Sequence, residues 1–132
     1  MKKIFNILLV DDDPFLRSYL AAELEKYCYR VIVVENGLEA LNSVAFCQFD
    51  VVITDIFMAQ MDGIELIQSL RKSNPNIPVF ALSGGGSLAW SADFLEFARR
   101  FGANEVFAKP VDMATLISKL EKYCQRGSKS AD

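Results

Sequence analysis

The chain has 132 residues, 52% of them hydrophobic, which suits one compact domain that buries roughly two thirds of its unfolded surface and leaves no room for a second. A formal net charge of -3, with Lys and Arg spread thinly, excludes a basic stripe for nucleic acid or an anionic membrane surface. Cys28, Cys47 and Cys124 are odd in number, widely spaced and outside any CxxC pattern, so they read as reduced thiols packed as small apolar groups in a cytosolic protein. Met1, Lys2 and Lys3 followed by an apolar run imitate a signal peptide, but Asn6 interrupts the run and Asp11 ends it. No run approaches the ~20 residues needed to span a bilayer, so a soluble, cytoplasmic protein without membrane contact is expected.

Short apolar runs then alternate with segments of helical period. Ile4 to Val10 reads as a strand, and Pro14 to Cys28 as a helix with Leu16, Leu20, Leu24 and Tyr27 on one face. Val31 to Glu35 is the next strand, and Asn36 with Glu39 marks the start of a helix running to about Cys47. The β-branched run Val51 to Thr54 has the composition of a central strand buried on both faces. A helix from Gly63 to Lys72 follows it, capped by Asp62 with Glu65. Val79 to Leu82 is the fourth strand. Trp90, Phe94, Phe97, Ala98 and Phe101 mark a face of the fourth helix, read as core. Glu105 to Ala108 is the fifth strand, and Asp112 caps a last helix carrying Met113, Leu116, Ile117, Leu120 and Tyr123. The domain therefore covers residues 4–124, with a polar tail over 125–132.

Successive βα units require parallel strands joined by right-handed crossovers, which gives an α/β three-layer sandwich, a flavodoxin-like (βα)5 fold. For the strand order 2-1-3-4-5 the ligand crevice lies beyond the carboxyl ends of strands one and three. Asp11, Asp12 and Asp13 follow strand one there, and Asp55 follows strand three. Ser83 with Gly84 and Gly85, and Lys109 with Pro110, end the fourth and fifth strands. Two carboxylates ~5 Å apart at an effective dielectric near 20 repel by ~3 kcal/mol, so a cation is needed, and hard oxygen donors favour Mg2+. Asp13 precedes Pro14 and reads as a helix cap instead, as do Asp62 and Asp112.

Leu9 to Pro14 with Arg17, Thr54 with Asp55, Met58, Met61 to Gly63, Ser83, and Lys109 with Pro110 together resemble the receiver domain of two-component response regulators, over residues 4–124. The resemblance implies that Asp55 is the phosphoacceptor. It further implies that Asp12, Asp55 and the backbone carbonyl of Phe57 ligate Mg2+, with Asp11 acting through water. By the same resemblance, Lys109 is expected to offset charge on the transferred phosphoryl group, Ser83 to move to hydrogen-bond it, and a cis Lys109–Pro110 bond to aim the lysine into the pocket. The chain has no histidine, so the donor is expected on a sensor histidine kinase or a histidine phosphotransfer domain. The protein is then a regulatory phosphoacceptor promoting its own phosphorylation and dephosphorylation, not an enzyme with a separate substrate. It signals by protein contact, through the fourth helix, fifth strand and fifth helix, as a monomer or weak phosphorylation-dependent dimer.

Some residues depart from the family pattern. Val106 stands where an aromatic switch residue is usual, and the adjacent Phe107 falls on the opposite sheet face by strand alternation. Phe57 places a large apolar group at the pocket rim beside Gly84 and Gly85, and Ala59 replaces a common proline. Two rivals are therefore weighed. One is a pseudo-receiver that docks without taking phosphate; the other is a haloacid-dehalogenase-type phosphatase, for which Asp11 and Asp13 form the Asp-x-Asp element.

Overall fold

Where the chain places β-branched and other apolar residues in short runs, it forms strands: β1 (Asn6–Val10), β2 (Arg30–Val34), β3 (Val51–Asp55), β4 (Val79–Ser83) and β5 (Glu105–Ala108). The computed structural model describes residues 3–58, 61–84 and 96–124, so Ala59, Gly85, Trp90, Phe94 and the tail lie outside the described residues. The helices are α1 (Pro14–Lys26), α2 (Gly37–Phe46), α3 (Gly63–Ser73), α4 over residues 96–101, and α5 (Met113–Cys124). Among the described residues no helix is long and apolar enough to cross a membrane.

The strands pair in parallel in the order β2-β1-β3-β4-β5, with β3 and β4 buried along their whole length. Alternation along each strand divides the core in two. Ile7, Leu9, Ile53, Phe80 and Leu82 pack with Leu20 and Leu24 of α1 and with Leu116, Ile117 and Leu120 of α5. On the other face Leu8, Val10, Val52 and Ala81 pack with Ala40 of α2, with Leu66, Ile67 and Leu70 of α3, and with Ala98 of α4. The three α3 side chains are fully buried, at roughly 1.5–3 kcal/mol each.

Helix starts follow the capping residues. Asp13 Oδ1 accepts the Phe15 N–H at 3.0 Å, with Pro14 at the first helical position. Asn36 Oδ1 accepts the Glu39 N–H at 2.8 Å, and the Glu39 carboxylate accepts the Glu35 N–H at 3.1 Å. Asp62 Oδ1 accepts the Glu65 N–H at 2.9 Å. Before α5 the Asp112 carbonyl accepts the Leu116 N–H at 3.0 Å, whereas its carboxylate bonds the Thr115 hydroxyl.

Several expectations need correction. Only Cys124 is buried; Cys28 and Cys47 are exposed, because each lies just past a helix end, Cys28 with φ 68°. Tyr27, at the end of α1, is exposed as well. In α4 it is Ala98 that faces the sheet, its small side chain fully buried, while Phe97 and Phe101 stay 50% and 37% exposed and stack edge to face at 5.4 Å. Strands β3 and β4 run on to Asp55 and Ser83, which are registered against Leu82 and Ala108. These polar residues are thus the last rungs of the ladder, held by the sheet and not by loops.

At the opposite end of α3, Arg71 binds two connections together. Its guanidinium donates to the carbonyls of Gly102 (2.7 Å from Nη2), Ile77 (2.6 Å) and Pro75 (3.2 Å), and to Asn104 Oδ1 at 2.8 Å. The same Asn104 oxygen accepts the Val79 N–H at 2.8 Å.

Candidate functional site

The carboxyl ends of β1 and β3 lie side by side, so Asp11 and Asp12 meet Asp55 across the crevice. One carboxylate oxygen from each of the three lies within 4.8 Å of the others. Asp11 is fully buried, Asp55 is 5% exposed, and Asp12 faces solvent. Lys109, just past β5, reaches over them, with Nζ 3.1 Å from Asp55 Oδ2 and 3.4 Å from Asp11 Oδ2. The Lys109–Pro110 peptide is cis.

The oxygens are unequally occupied. Asp11 Oδ1 accepts the Asp13 N–H at 2.9 Å and Oδ2 faces Lys109, so both are engaged by the protein. Arg17 Nη1 donates to the Asp11 carbonyl at 2.9 Å and fixes the bend after β1. Asp55 Oδ1, in contrast, is buried without a hydrogen-bond partner, and so is Ser83 Oγ at the end of β4. Buried polar atoms are nearly always satisfied, so two orphans at one edge mark a place for a ligand.

Burial pushes the Asp55 carboxyl up to about 6, against the pull of the Lys109 charge. Asp11 adds to the rise, while the hydrogen bonds from Lys109 and from the Phe57 backbone oppose it. One ammonium does not fully compensate two buried acids. An all-oxygen donor set with an open carboxylate oxygen fits a small hard divalent cation such as Mg2+.

Phe57 is 44% exposed and its main chain touches the Asp55 carboxylate, so it stands at the rim. Gly84 lies against the Lys109 stem. Val106 sits opposite Ala81 in the ladder and packs on the α3 side, whereas Phe107 is buried on the α5 side with its ring 5.5 Å from Phe80. Asp13 is engaged in capping α1 and is not among the three clustered acids, which removes the acid that the phosphatase reading required.

Two supporting residues carried no role in the sequence reading. Arg17 reaches Asp11 from the first turn of α1, a contact that only the tertiary bend creates. A Cβ on Gly63 would stand 2.4 Å from the Asp55 carbonyl oxygen and 2.6 Å from Ile56 Cα, and the Gly63 N–H donates to Ile56 O at 2.8 Å. A glycine opening a helix soon after β3 was the available signal.

Fold and acidic cluster together define a class, and comparison with known proteins settles it: the chain belongs to the response regulator receiver domain family, whose model matches residues 7–121. Among curated relatives, transcriptional regulatory protein ZraR of Klebsiella oxytoca is 39% identical over 111 residues, covering 84% of this chain and 24% of that protein. GlrR of Escherichia coli is 32% identical over 127 residues, 96% of this chain and 28% of the relative. The chain thus spans about a quarter of the length of these relatives. Of solved structures, the receiver domain of the Francisella response regulator 1452 superposes with TM-score 0.82 at 28% identity, covering 93% of this chain and 98% of that one. Chemotaxis response regulator CheY4 of Vibrio cholerae gives 0.79 at 26%, with coverage of 92% and 99%.

Proposed function

We propose that this receiver domain is a phosphoacceptor switch in which Asp55 takes a phosphoryl group from a phosphohistidine on a sensor histidine kinase or histidine phosphotransfer domain. The observation carrying this reading is the asymmetry of Asp55: Oδ2 is held by Lys109 at 3.1 Å and Oδ1 is unpartnered in an acidic crevice. The chain contains no histidine, so the donor imidazole is not among these 132 residues.

Asp55, Asp12 and the Phe57 carbonyl would hold Mg2+, and Asp11, with both carboxylate oxygens already engaged, would act through water. When bound, the ion neutralises carboxylate and phosphoryl charge. The Asp55 carboxylate attacks phosphorus as the P–N bond to the imidazole breaks, and the product is an acyl phosphate. Lys109 stays beside the acceptor and pairs with the incoming phosphoryl oxygens. The buried Ser83 hydroxyl, free of other partners, is positioned to donate to one of them. Output through the α4–β5–α5 surface, as a monomer or a weak phosphorylation-dependent dimer, belongs to the same proposal.

The test is incubation with Mg2+ and acetyl phosphate, followed by intact mass for the wild type and Asp55→Asn. One adduct of phosphoryl mass on the wild type and none on the variant supports the switch. No adduct on either, with Mg2+ binding shown separately, supports the docking-only pseudo-receiver that Val106 and Phe57 motivate.

A further inference from the structure

Lys109 is tied to the fold by its backbone, whose N–H donates to Ser83 O at 2.8 Å. From that point its stem crosses Gly84. A Cβ built on Gly84 would stand 2.6 Å from Lys109 Cβ, 2.7 Å from Cδ and 3.0 Å from Cγ. Carbon atoms in contact prefer about 3.5–4.0 Å, so all three approaches are too close. The atoms struck are the root and middle of the side chain, not its free end, and rotation of the ammonium group alone cannot relieve them. Backbone conformation does not call for glycine here, since the positive-φ glycine among the described residues is Gly102. Space is what position 84 supplies.

We infer that Gly84 is a positioning residue: its missing side chain seats the Lys109 stem and so sets the reach of Nζ to Asp55 and Asp11. The consequence for phosphorylation rests on the phosphoacceptor reading; the seating itself does not. Any side chain at 84 displaces the lysine from the carboxylates.

The seating is tested first without phosphodonor or Mg2+, by acetylating the protein with trace acetic anhydride and comparing Lys109 with the more exposed Lys119 by mass spectrometry. Lys109 acetylation rises several-fold in Gly84→Ala; an unchanged ratio overturns the inference. The second readout is the initial rate of Asp55 phosphorylation by acetyl phosphate in a cycle with Lys109→Gly, which removes every clashing atom of the stem. Gly84→Ala slows the reaction about tenfold when Lys109 is present, and less than about twofold when it is absent, because the two changes act through one group. Equal losses in both backgrounds overturn the seating role. A wild type that takes no phosphoryl group, with Lys109 acetylation still raised in Gly84→Ala, refutes the phosphoacceptor reading and leaves the seating intact. Should Gly84→Ala fail to fold, the double variant Gly84→Ala, Lys109→Gly must fold again because the clashing partner is gone, and its failure to do so overturns the inference.

Discussion

Lys109 Nζ lies 3.1 Å from Asp55 Oδ2 and 3.4 Å from Asp11 Oδ2, so one ammonium is shared between two buried carboxylates. Sharing leaves Asp55 under-compensated, and the effect on stability has a definite sign. Asp55 is raised from 3.8 to about 6, so the folded state binds its proton more tightly than the unfolded chain does. Stability from this group is therefore greatest below pH 3.8 and is lost as pH rises through 6. The difference in pKa corresponds to about 3 kcal/mol at most. In metal-free buffer Asp55→Asn should be more stable than the wild type at pH 7.5, by about 1–3 kcal/mol, and the gain should shrink at pH 4.5. Urea unfolding of both proteins at the two pH values measures it.

Adding Mg2+ should erase most of that gain. An ion bound by Asp55 would neutralise the acidic crevice of the folded wild type and stabilise it by mass action. Melting temperature against Mg2+ concentration should climb for the wild type and much less for Asp55→Asn. Equal shifts in both proteins would mean that the ion does not engage Asp55.

Arg71 makes charge-assisted bonds to the carbonyls of Gly102, Ile77 and Pro75. Arg71→Ala leaves these acceptors and Asn104 Oδ1 short of a donor, and should cost about 2–4 kcal/mol. Arg71→Lys should recover little, because a single ammonium cannot reproduce the planar fork. Chemical denaturation of the two variants checks both statements.

On the phosphoacceptor reading, Phe57 would bear on the lifetime of the phosphorylated state. It is half exposed at the rim, with its main chain on the Asp55 carboxylate, and the expectation is that its ring shields an acyl phosphate there from attacking water. Phe57→Asn should speed autodephosphorylation several-fold. A decay rate equal to that of the wild type would show that the ring only packs against the loop.

The Gly63 contact is tight enough to predict from geometry alone. Gly63→Ala drives a Cβ into the Asp55 carbonyl and Ile56 Cα, both main-chain atoms that no rotamer change can move, so relief requires moving α3 or the end of β3. The expected cost is about 1–3 kcal/mol, with slower phosphorylation. A melt and an acetyl phosphate time course report both.

Much of this was legible in the sequence. Strand runs such as Val51 to Thr54 are β-branched and bounded by turn residues, so element order and topology followed from pattern and connection rules. Asp11, Asp12, Asp55, Ser83 and Lys109 were recognisable because topology brings strand ends to one edge, and the structure does bring them together. What pattern could not show was which atoms remain open. That Asp11 is engaged on both oxygens while Asp55 Oδ1 and Ser83 Oγ are not depends on a backbone bend and a lysine path. Helical spacing likewise could not reveal that Ala98 alone of the α4 residues Phe97, Ala98 and Phe101 is buried, since a period sets a face and not the depth of the neighbour. Cys28 and Cys47 were misjudged because composition says nothing of a helix end.

The most direct test of the central claim is chemical trapping of the phosphorylated residue. The protein is treated with Mg2+ and acetyl phosphate, reduced with borohydride, digested and mapped by mass spectrometry. An acyl phosphate is reduced to the alcohol, so homoserine at position 55, dependent on Mg2+ and on phosphodonor, is the predicted result. An aspartate left intact at position 55, or homoserine at Asp11 or Asp12 instead, would contradict it.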